Sequence, residues 1–304
     1  MLLANWFDAT LLRNDLALFM GNEISTLEWT PHFQQVDLIL NGQYRGIYQL
    51  GEKEIIAKKR VNVGDNCVLM EIDIRAAEEG DARYFSVNHI ENVVNIKDPD
   101  VEYNDDLYNW ARDYLTAADD ALFSDNFANP ENGWQKYIDI NSFVDWYIIN
   151  EIAKNVDGNF FSSCYMNLKP GGKLKMGPLW DFDMSFGAYV GGGEKQSIVN
   201  NPEGFYIKDV MWFDRLFQDP VFVEKVQERF NIYYSNKQVI LDHIDAQASK
   251  LINKVVEDNK LWGTITSTTA TEDNVQSAYQ AKVDALKTWL STRLKWMNTV
   301  ISGL

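Results

Sequence analysis

The sequence predicts an α+β protein whose N-terminal part is rich in β-strands and whose C-terminal part is helical. Residues 35–40 alternate between polar and apolar side chains, as a half-buried strand does. They are followed by Asn41-Gly42, a pair preferred in two-residue hairpin turns because both positions adopt positive φ. Near the other end, apolar residues recur at three- and four-residue steps over residues 272–300, which is typical of a long amphipathic helix.

Residues 1–100 are expected to form the β-rich region and to begin with a helix that Asp8 caps. The predicted elements of this region are a helix over 8–20, strands over 35–40, 44–50, 61–63 and 67–74, and a β-segment over 83–96.

Residues 101–304 are expected to form a mainly helical region around one short hairpin. The predicted elements are helices over 107–121, 139–153, 221–234, 240–257 and 272–300, and strands over 160–168 and 173–176. The helix over 139–153 is apolar on nearly every side, which indicates burial. The glycine-rich residues 191–203 are predicted to form a mobile loop.

Composition excludes several classes of function. The chain of 304 residues carries a net charge of −16, which disfavours nucleic acid as a partner because phosphate binding needs a basic surface. It has no run of 18 apolar residues, so no membrane span is expected. The three histidines and two cysteines show no zinc-binding spacing, and Cys67 and Cys164 are expected to be buried thiols. Catalysis in this chain would depend on carboxylates.

Two acidic segments stand out. Asp157 follows the buried helix, and Asp181 comes 24 residues later, after the hairpin, in the run Trp180-Asp181-Phe182-Asp183. Phosphoryl-transfer enzymes use one aspartate to orient the acceptor hydroxyl and another to hold Mg²⁺, which prefers oxygen ligands. Each segment alone is more often an ordinary turn than a functional site, and the functional interpretation depends on the two occurring together. The pattern Asp181-x-Asp183 also fits glycosyltransferases that hold Mn²⁺ and a nucleotide sugar, although the Asn-Gly hairpin favours the kinase-like alternative.

The chain resembles the CotH kinase family, the spore-coat-protein-H-like atypical protein kinases, nearly from end to end. The matching segments are Leu2–Asn5 with Asp8, Leu12–Asn14, Leu40–Tyr48, Glu52-Lys53, Arg60–Asn62, Asn150–Asp157, Gly172–Asp183, Trp289-Leu290, Arg293-Leu294 and Trp296-Met297.

The resemblance implies a protein-kinase-like, two-lobed fold and transfer of the ATP γ-phosphate to Ser or Thr. It makes Asp157 the catalytic aspartate and Asp181 the metal ligand, with Asp183 as a second metal-binding acid. Kinases carry a second metal-binding Asn five residues after the catalytic Asp. Here that position is Ser162, and Asn159 lies nearby as a further candidate ligand.

In the same scheme, the hairpin leads into a connection at Glu52 and Lys53 that touches the nucleotide, while Arg13 on the first helix is a further candidate contact. The expected cofactors are ATP and Mg²⁺, with Mn²⁺ as a substitute. No Lys precedes the first helix, and we expect the phosphate-binding Lys of the family to lie upstream of residue 1.

The expected partner is a protein substrate, basic and rich in Ser, and the expected location is the cell surface or exterior of a bacterium. The alternative from another class is a catalytically inactive, pseudokinase-like scaffold module.

Overall fold

The computed structural model describes residues 1–61, 64, 66–81 and 83–304. Within them the strands form two antiparallel sheets, one of three strands in the order β1-β3-β2 and one of five in the order β5-β6-β4-β7-β8. The strands are β1 (Leu2–Leu3), β2 (Phe33–Leu40), β3 (Gln43–Gly51), β4 (Val68–Ile72), β5 (Tyr84–Val87), β6 (Ile90–Asp98), β7 (Cys164–Leu168) and β8 (Lys175–Met176).

The predicted Asn-Gly hairpin is confirmed. Asn41 and Gly42 have φ values of 54° and 75°, and they join β2 to β3 in antiparallel register. The turn lies against no other part of the protein at Gly42, where an added Cβ would meet nothing within 4 Å. Its glycine is therefore required by the backbone conformation rather than by close packing.

The two faces of the five-stranded sheet contact different hydrophobic clusters. Residues Val68, Met70 and Ile72 of β4 face the main hydrophobic core, while Leu69 belongs to a smaller cluster with Tyr165 of β7. This alternation follows from the two-residue period of a strand. Since β4 pairs with β6 on one side and with β7 on the other, the sheet contains strands from both the 1–100 and the 101–304 regions. It therefore brings residues around Asp73 next to the loop that precedes β7.

Helices account for most of the chain after residue 100. They are α1 (Arg13–Glu23), α2 (Arg75–Glu78), α3 (Asp106–Phe123), α4 (Ile140–Ala153), α5 (Gly193–Asn200), α6 (Met211–Leu216), α7 (Pro220–Ser235), α8 (Lys237–Leu251), α9 (Lys254–Trp262) and α10 (Glu272–Ile301). The predicted burial of α4 is confirmed, with twelve of its residues buried. Among the described helices none has the length and apolar character needed to cross a bilayer.

Three element predictions were wrong, and one lies partly outside the described residues. The first helix begins at Arg13 rather than Asp8, because Leu11 has a φ of 59° and breaks the helical path. Residues 193–200 are the helix α5 instead of a loop, and the helix predicted over 240–257 is divided into α8 and α9. In the strand predicted over 61–63, residues 62 and 63 lie outside the described part of the chain.

A buried carboxylate joins three of the helices. Asp145 of α4 is fully buried and accepts hydrogen bonds from the backbone and hydroxyl of Thr26, both at 2.6 Å, and from Tyr233 at 3.0 Å. Arg229 of α7 donates to it twice, at 2.9 and 3.1 Å, and also donates to the carbonyl of Ile24 after α1. The cost of burying this ion pair is offset because its oxygens and guanidinium are hydrogen-bonded.

We expect Asp145→Ala to lower the free energy of unfolding by about 3–5 kcal/mol, because Arg229 would keep its charge without its partner. Chemical denaturation followed by circular dichroism measures the change. Glu228→Ala is the matched control, since it breaks an exposed ion pair with Lys225 and should cost below about 1 kcal/mol. Equal losses from the two substitutions would contradict a stabilising role of the Asp145 network.

Candidate active site

The loop after α4 carries Asp157 and has an unusual backbone. Lys154, which ends α4, has a φ of 43°, while Phe160 and Ser163 have φ values of 63° and 58°. Left-handed conformations are unfavourable for such side chains and persist only where the surroundings hold them. The ring of Phe160 is buried and lies 5.6 Å from that of Phe213. Packing of this ring therefore holds the loop, and with it Asp157, in a defined conformation.

A second loop, after β8, carries Asp181 and Asp183. Asp181 has a φ of 61°, and the following side chain, Phe182, is buried. The backbone N–H of Phe182 donates to the side chain of Asn14 on α1 at 2.6 Å. Ser163 donates to Asp181 at 3.4 Å. The hydrophobic anchor and the bond to α1 position the two acids opposite the loop that contains Asp157.

The three aspartates influence one another's protonation. Burial, with a further contribution from the charge of Asp181, raises the pKa of Asp157 to about 6. Burial and the charges of Asp181 and Asp8 raise the pKa of Asp183 to about 7. Asp181 is exposed at its surface, and partial loss of hydration raises the pKa of its carboxyl group as well. The site concentrates negative charge and would be stabilised by a bound cation.

Asp73, just after β4, is a further acid of the site, and the sequence interpretation missed it. Ser162 donates to Asp73 at 3.2 Å, and Asp73 also pairs with Arg75 at 3.5 Å. Its charge contributes to the raised pKa of Asp157. Only a weak signal marks it in the sequence, because Glu71 and Asp73 are polar residues at every second position of an apolar strand. That pattern places both side chains on the face of the sheet opposite the main core.

A fully buried ion pair fixes the segment 202–208 beside α4. Arg293 of α10 pairs with Glu151 at 2.6 Å, and it donates to the carbonyls of Pro202 and Gly204 at 3.0 and 2.7 Å. Both side chains have an exposed fraction of 0%. The carboxylate of Glu151 also accepts the backbone N–H groups of residues 206, 207 and 208, at 2.8 to 3.1 Å. Charged groups are tolerated at this depth because their hydrogen-bonding capacity is used.

Lys154 extends the same arrangement toward α5. Its ammonium group donates to the carbonyls of Ile198, Asn201 and Glu203 at 2.8, 2.9 and 2.6 Å. These are the three donors that an ammonium group has. Burial and the nearby Arg293 lower the pKa of Lys154 to about 8. Lys154 thus joins the end of α4, three residues before Asp157, to the segment after α5.

Arg13 and Asn159 were predicted to contact the cofactor and the metal, respectively. Arg13 is buried, pairs with Asp8 and donates to the carbonyl of Ser185 at 3.0 Å, so it connects α1 to the loop after Asp183. Asn159 lines a cavity of about 320 Å³ together with Asp209, and its side-chain oxygen has no hydrogen-bond partner among the described residues. The roles of both residues in ligand binding stay predictions.

Glu52 and Lys53 lie where β3 leaves the three-stranded sheet. Glu52 accepts from the backbone N–H of His32 and contacts its ring, both at 3.1 Å. Lys53 is exposed, and its carbonyl accepts a hydrogen bond from Arg60 at 3.1 Å. Both residues therefore lie at the end of the β2–β3 hairpin, and their contact with a nucleotide stays a prediction.

The donor set is suited to a hard cation. No group of three or more described His, Cys, Asp or Glu side chains is arranged to enclose a metal ion. Mg²⁺, however, is commonly bound through one or two carboxylates together with water and substrate phosphates. Asp181 and Asp183, whose carboxyl groups interact with each other, would supply two such carboxylates.

The sheets in the N-terminal part, the helices in the C-terminal part and the two loops that carry aspartates are consistent with a kinase-like α+β protein. A family model described as CotH kinase protein matches residues 1–297, so the chain belongs to the CotH kinase family. The fold class and the family resemblance predicted from the sequence are both confirmed. A search of curated proteins returned no match.

The raised pKa of Asp157 has a consequence for stability. Its pKa rises on folding from 3.8 to about 6, so the folded state retains a proton that the unfolded state releases. Stability attributable to this group is therefore present at low pH and lost as pH rises through 6. In metal-free protein we expect Asp157→Asn to raise the free energy of unfolding at pH 7.5 and to have little effect at pH 4.

Denaturant titrations at the two pH values, with a chelator present, measure this difference. Asp125→Asn is the control, because Asp125 is exposed and lies outside the site. A gain that is equal at both pH values would contradict the link to Asp157 ionisation.

Proposed function

We propose that this protein is an ATP-dependent protein kinase that phosphorylates Ser or Thr hydroxyls. The observation that carries the proposal is the proximity of Asp157 and Asp183 to Asp181, whose charge adds to burial in raising the pKa values of both. The membership in the CotH kinase family supports the same activity. Phosphoryl transfer requires mainly positioning and electrostatic stabilisation, which two carboxylate loops on a rigid support can provide.

In the proposed reaction, Asp157 orients the acceptor hydroxyl and receives its proton. The hydroxyl oxygen forms a bond to the γ-phosphorus as the bond from that phosphorus to the bridging oxygen breaks, and ADP leaves. A carboxylate that titrates near pH 6 is largely ionised at neutral pH and is still basic enough to accept a proton. Its neighbours therefore tune Asp157 for this role.

Asp181 and Asp183 would hold Mg²⁺, with Mn²⁺ as a substitute. When bound, the ion neutralises phosphate charge. Around it, Ser163 and the anchored ring of Phe182 keep the orientation of Asp181, and Asn14 holds the backbone of the same loop.

The proposed acceptor is a protein segment that is basic and rich in Ser, because the chain carries a net charge of −16. A location at the cell surface or outside a bacterial cell goes with this proposal. If the chain transferred no phosphate, the alternative would be a scaffold module that keeps the kinase fold without its chemistry.

We expect purified protein with Mg-ATP to phosphorylate a Ser- and Lys-rich protein, and Asp157→Asn to lower kcat by about 10²- to 10⁴-fold. Asp181→Asn should also abolish most activity, because it removes the carboxylate proposed to hold the metal. Transfer of labelled phosphate and mass spectrometry of the acceptor measure both effects.

The matched control is Asp125→Asn, which removes one exposed aspartate outside the site. Wild-type activity in Asp157→Asn and Asp181→Asn would exclude the proposed roles. Stabilisation by a nucleotide sugar with Mn²⁺, but not by Mg-ATP, would instead favour a glycosyltransferase.

A further inference from the structure

A lysine that the sequence interpretation assigned to a mobile loop lies beside Asp157. Lys195 belongs to the first turn of α5, two residues after the last of three consecutive glycines. Its ammonium nitrogen lies 4.8 Å from the centre of the Phe161 ring and 5.7 Å from that of Tyr189. Phe161 is itself tied to the catalytic loop, because its backbone N–H donates to the carbonyl of Asp157 at 3.1 Å. Lys195 is thus placed over the loop that carries the proposed base.

In the described part of the chain, the ammonium group of Lys195 has all three of its N–H donors available. Within the described part of the chain, its contacts are the two aromatic rings and the charge of Asp157, with no hydrogen bond or ion pair. Lys154, by contrast, donates to three carbonyls, and Arg75 is paired with Asp73. Lys195 is also half-buried, so it cannot be surrounded by water as freely as a surface lysine.

Contact with aromatic rings can hold the ammonium group of a lysine in place while its N–H groups remain available to an anionic ligand. Cation–π contacts attract the ammonium to the ring faces and restrict its position, but they leave its N–H groups free to donate. A group poised in this way can stabilise negative charge without reorganising during the reaction. Next to Asp157, the anionic group that arrives in a kinase reaction is the phosphoryl group in transfer.

We propose that Lys195 binds the γ-phosphoryl group of the nucleotide as it passes to the acceptor. The inference rests on the proposed kinase function and adds the cation that faces Asp157. Lys195 stays protonated throughout, donating hydrogen bonds to phosphoryl oxygens while the acceptor proton goes to Asp157. Phe161 and Tyr189 act as positioning residues that hold the ammonium over the site.

The test compares neutral and charged replacements of Lys195. Lys195→Met keeps the apolar length of the side chain but removes its charge, and we expect kcat to fall by about 10²-fold, as for loss of one electrostatic stabiliser. The Kd of Mg-ADP should stay within about threefold of the wild-type value, because ADP lacks the γ-phosphoryl group. Lys195→Arg, which retains the charge, should recover most of the lost rate.

Lys237→Met is the matched control. It also removes a lysine that lies over an aromatic ring, 4.5 Å from the centre of Tyr234, but on the exposed start of α8. We expect this variant to keep wild-type kcat. Lys195→Gln provides a second neutral replacement if the Met variant folds poorly, as judged from its Tm.

The outcomes separate this inference from the proposed function. If the wild-type protein phosphorylates the acceptor and neutral variants of Lys195 match its kcat, the role of Lys195 is wrong and the kinase function stands. If Mg-ADP binding is lost in parallel with kcat, Lys195 supports nucleotide binding or local structure, and the inference is overturned. If the wild-type protein transfers no phosphate, the proposed function fails and the inference fails with it.

Discussion

The buried charges at the end of α4 are the constraint on which the candidate site depends. Glu151 and Arg293 are fully buried, so water cannot replace a hydrogen-bond partner that either of them loses. Their burial is therefore tolerated only while their donors and acceptors remain hydrogen-bonded. Their bonds reach the backbone of residues 202–208, and Lys154 adds three bonds to residues 198–203. The loop that carries Asp157 and the chain after α5 are therefore held in one arrangement. A shift of either segment would leave a buried charge unpaired.

The site itself opposes folding in several ways. Three aspartates are held together so that their pKa values rise, and Lys154, Phe160, Ser163 and Asp181 adopt left-handed backbone conformations. Such features persist only where the surrounding structure is strong enough to enforce them. Here the surroundings are the aromatic packing beneath Phe160 and the contacts of α1 with the loop of Asp181. A cation bound between these carboxylates would reduce their mutual repulsion.

Prediction from the sequence was correct where interactions between residues close along the chain decided the local structure. Asn41-Gly42 required positive φ and produced the hairpin, and the apolar composition around Trp146 produced a buried helix. Prediction was wrong where distant contacts decided. Asp8 resembles a helix cap, but it instead binds Arg13 and Thr10 within a turn. The glycines at 191–193 suggested a loop, whereas residues 193–200 form α5, whose end is held by the ammonium of Lys154.

By itself, the sequence determined the class of fold and the family, and it singled out Asp157 and Asp181 as candidate site residues, because these follow from residue patterns that are close along the chain. Only the tertiary structure decided which other groups meet them. Asp73 arrives through the pairing of β4 with β7, and Lys195 arrives through the packing of α5 over the loop of Asp157. Neither residue could be assigned to the site from local sequence patterns, because both are far from Asp157 along the chain. The free energy that brings them to the loop of Asp157 comes from strand pairing and from burial of apolar residues in other parts of the protein.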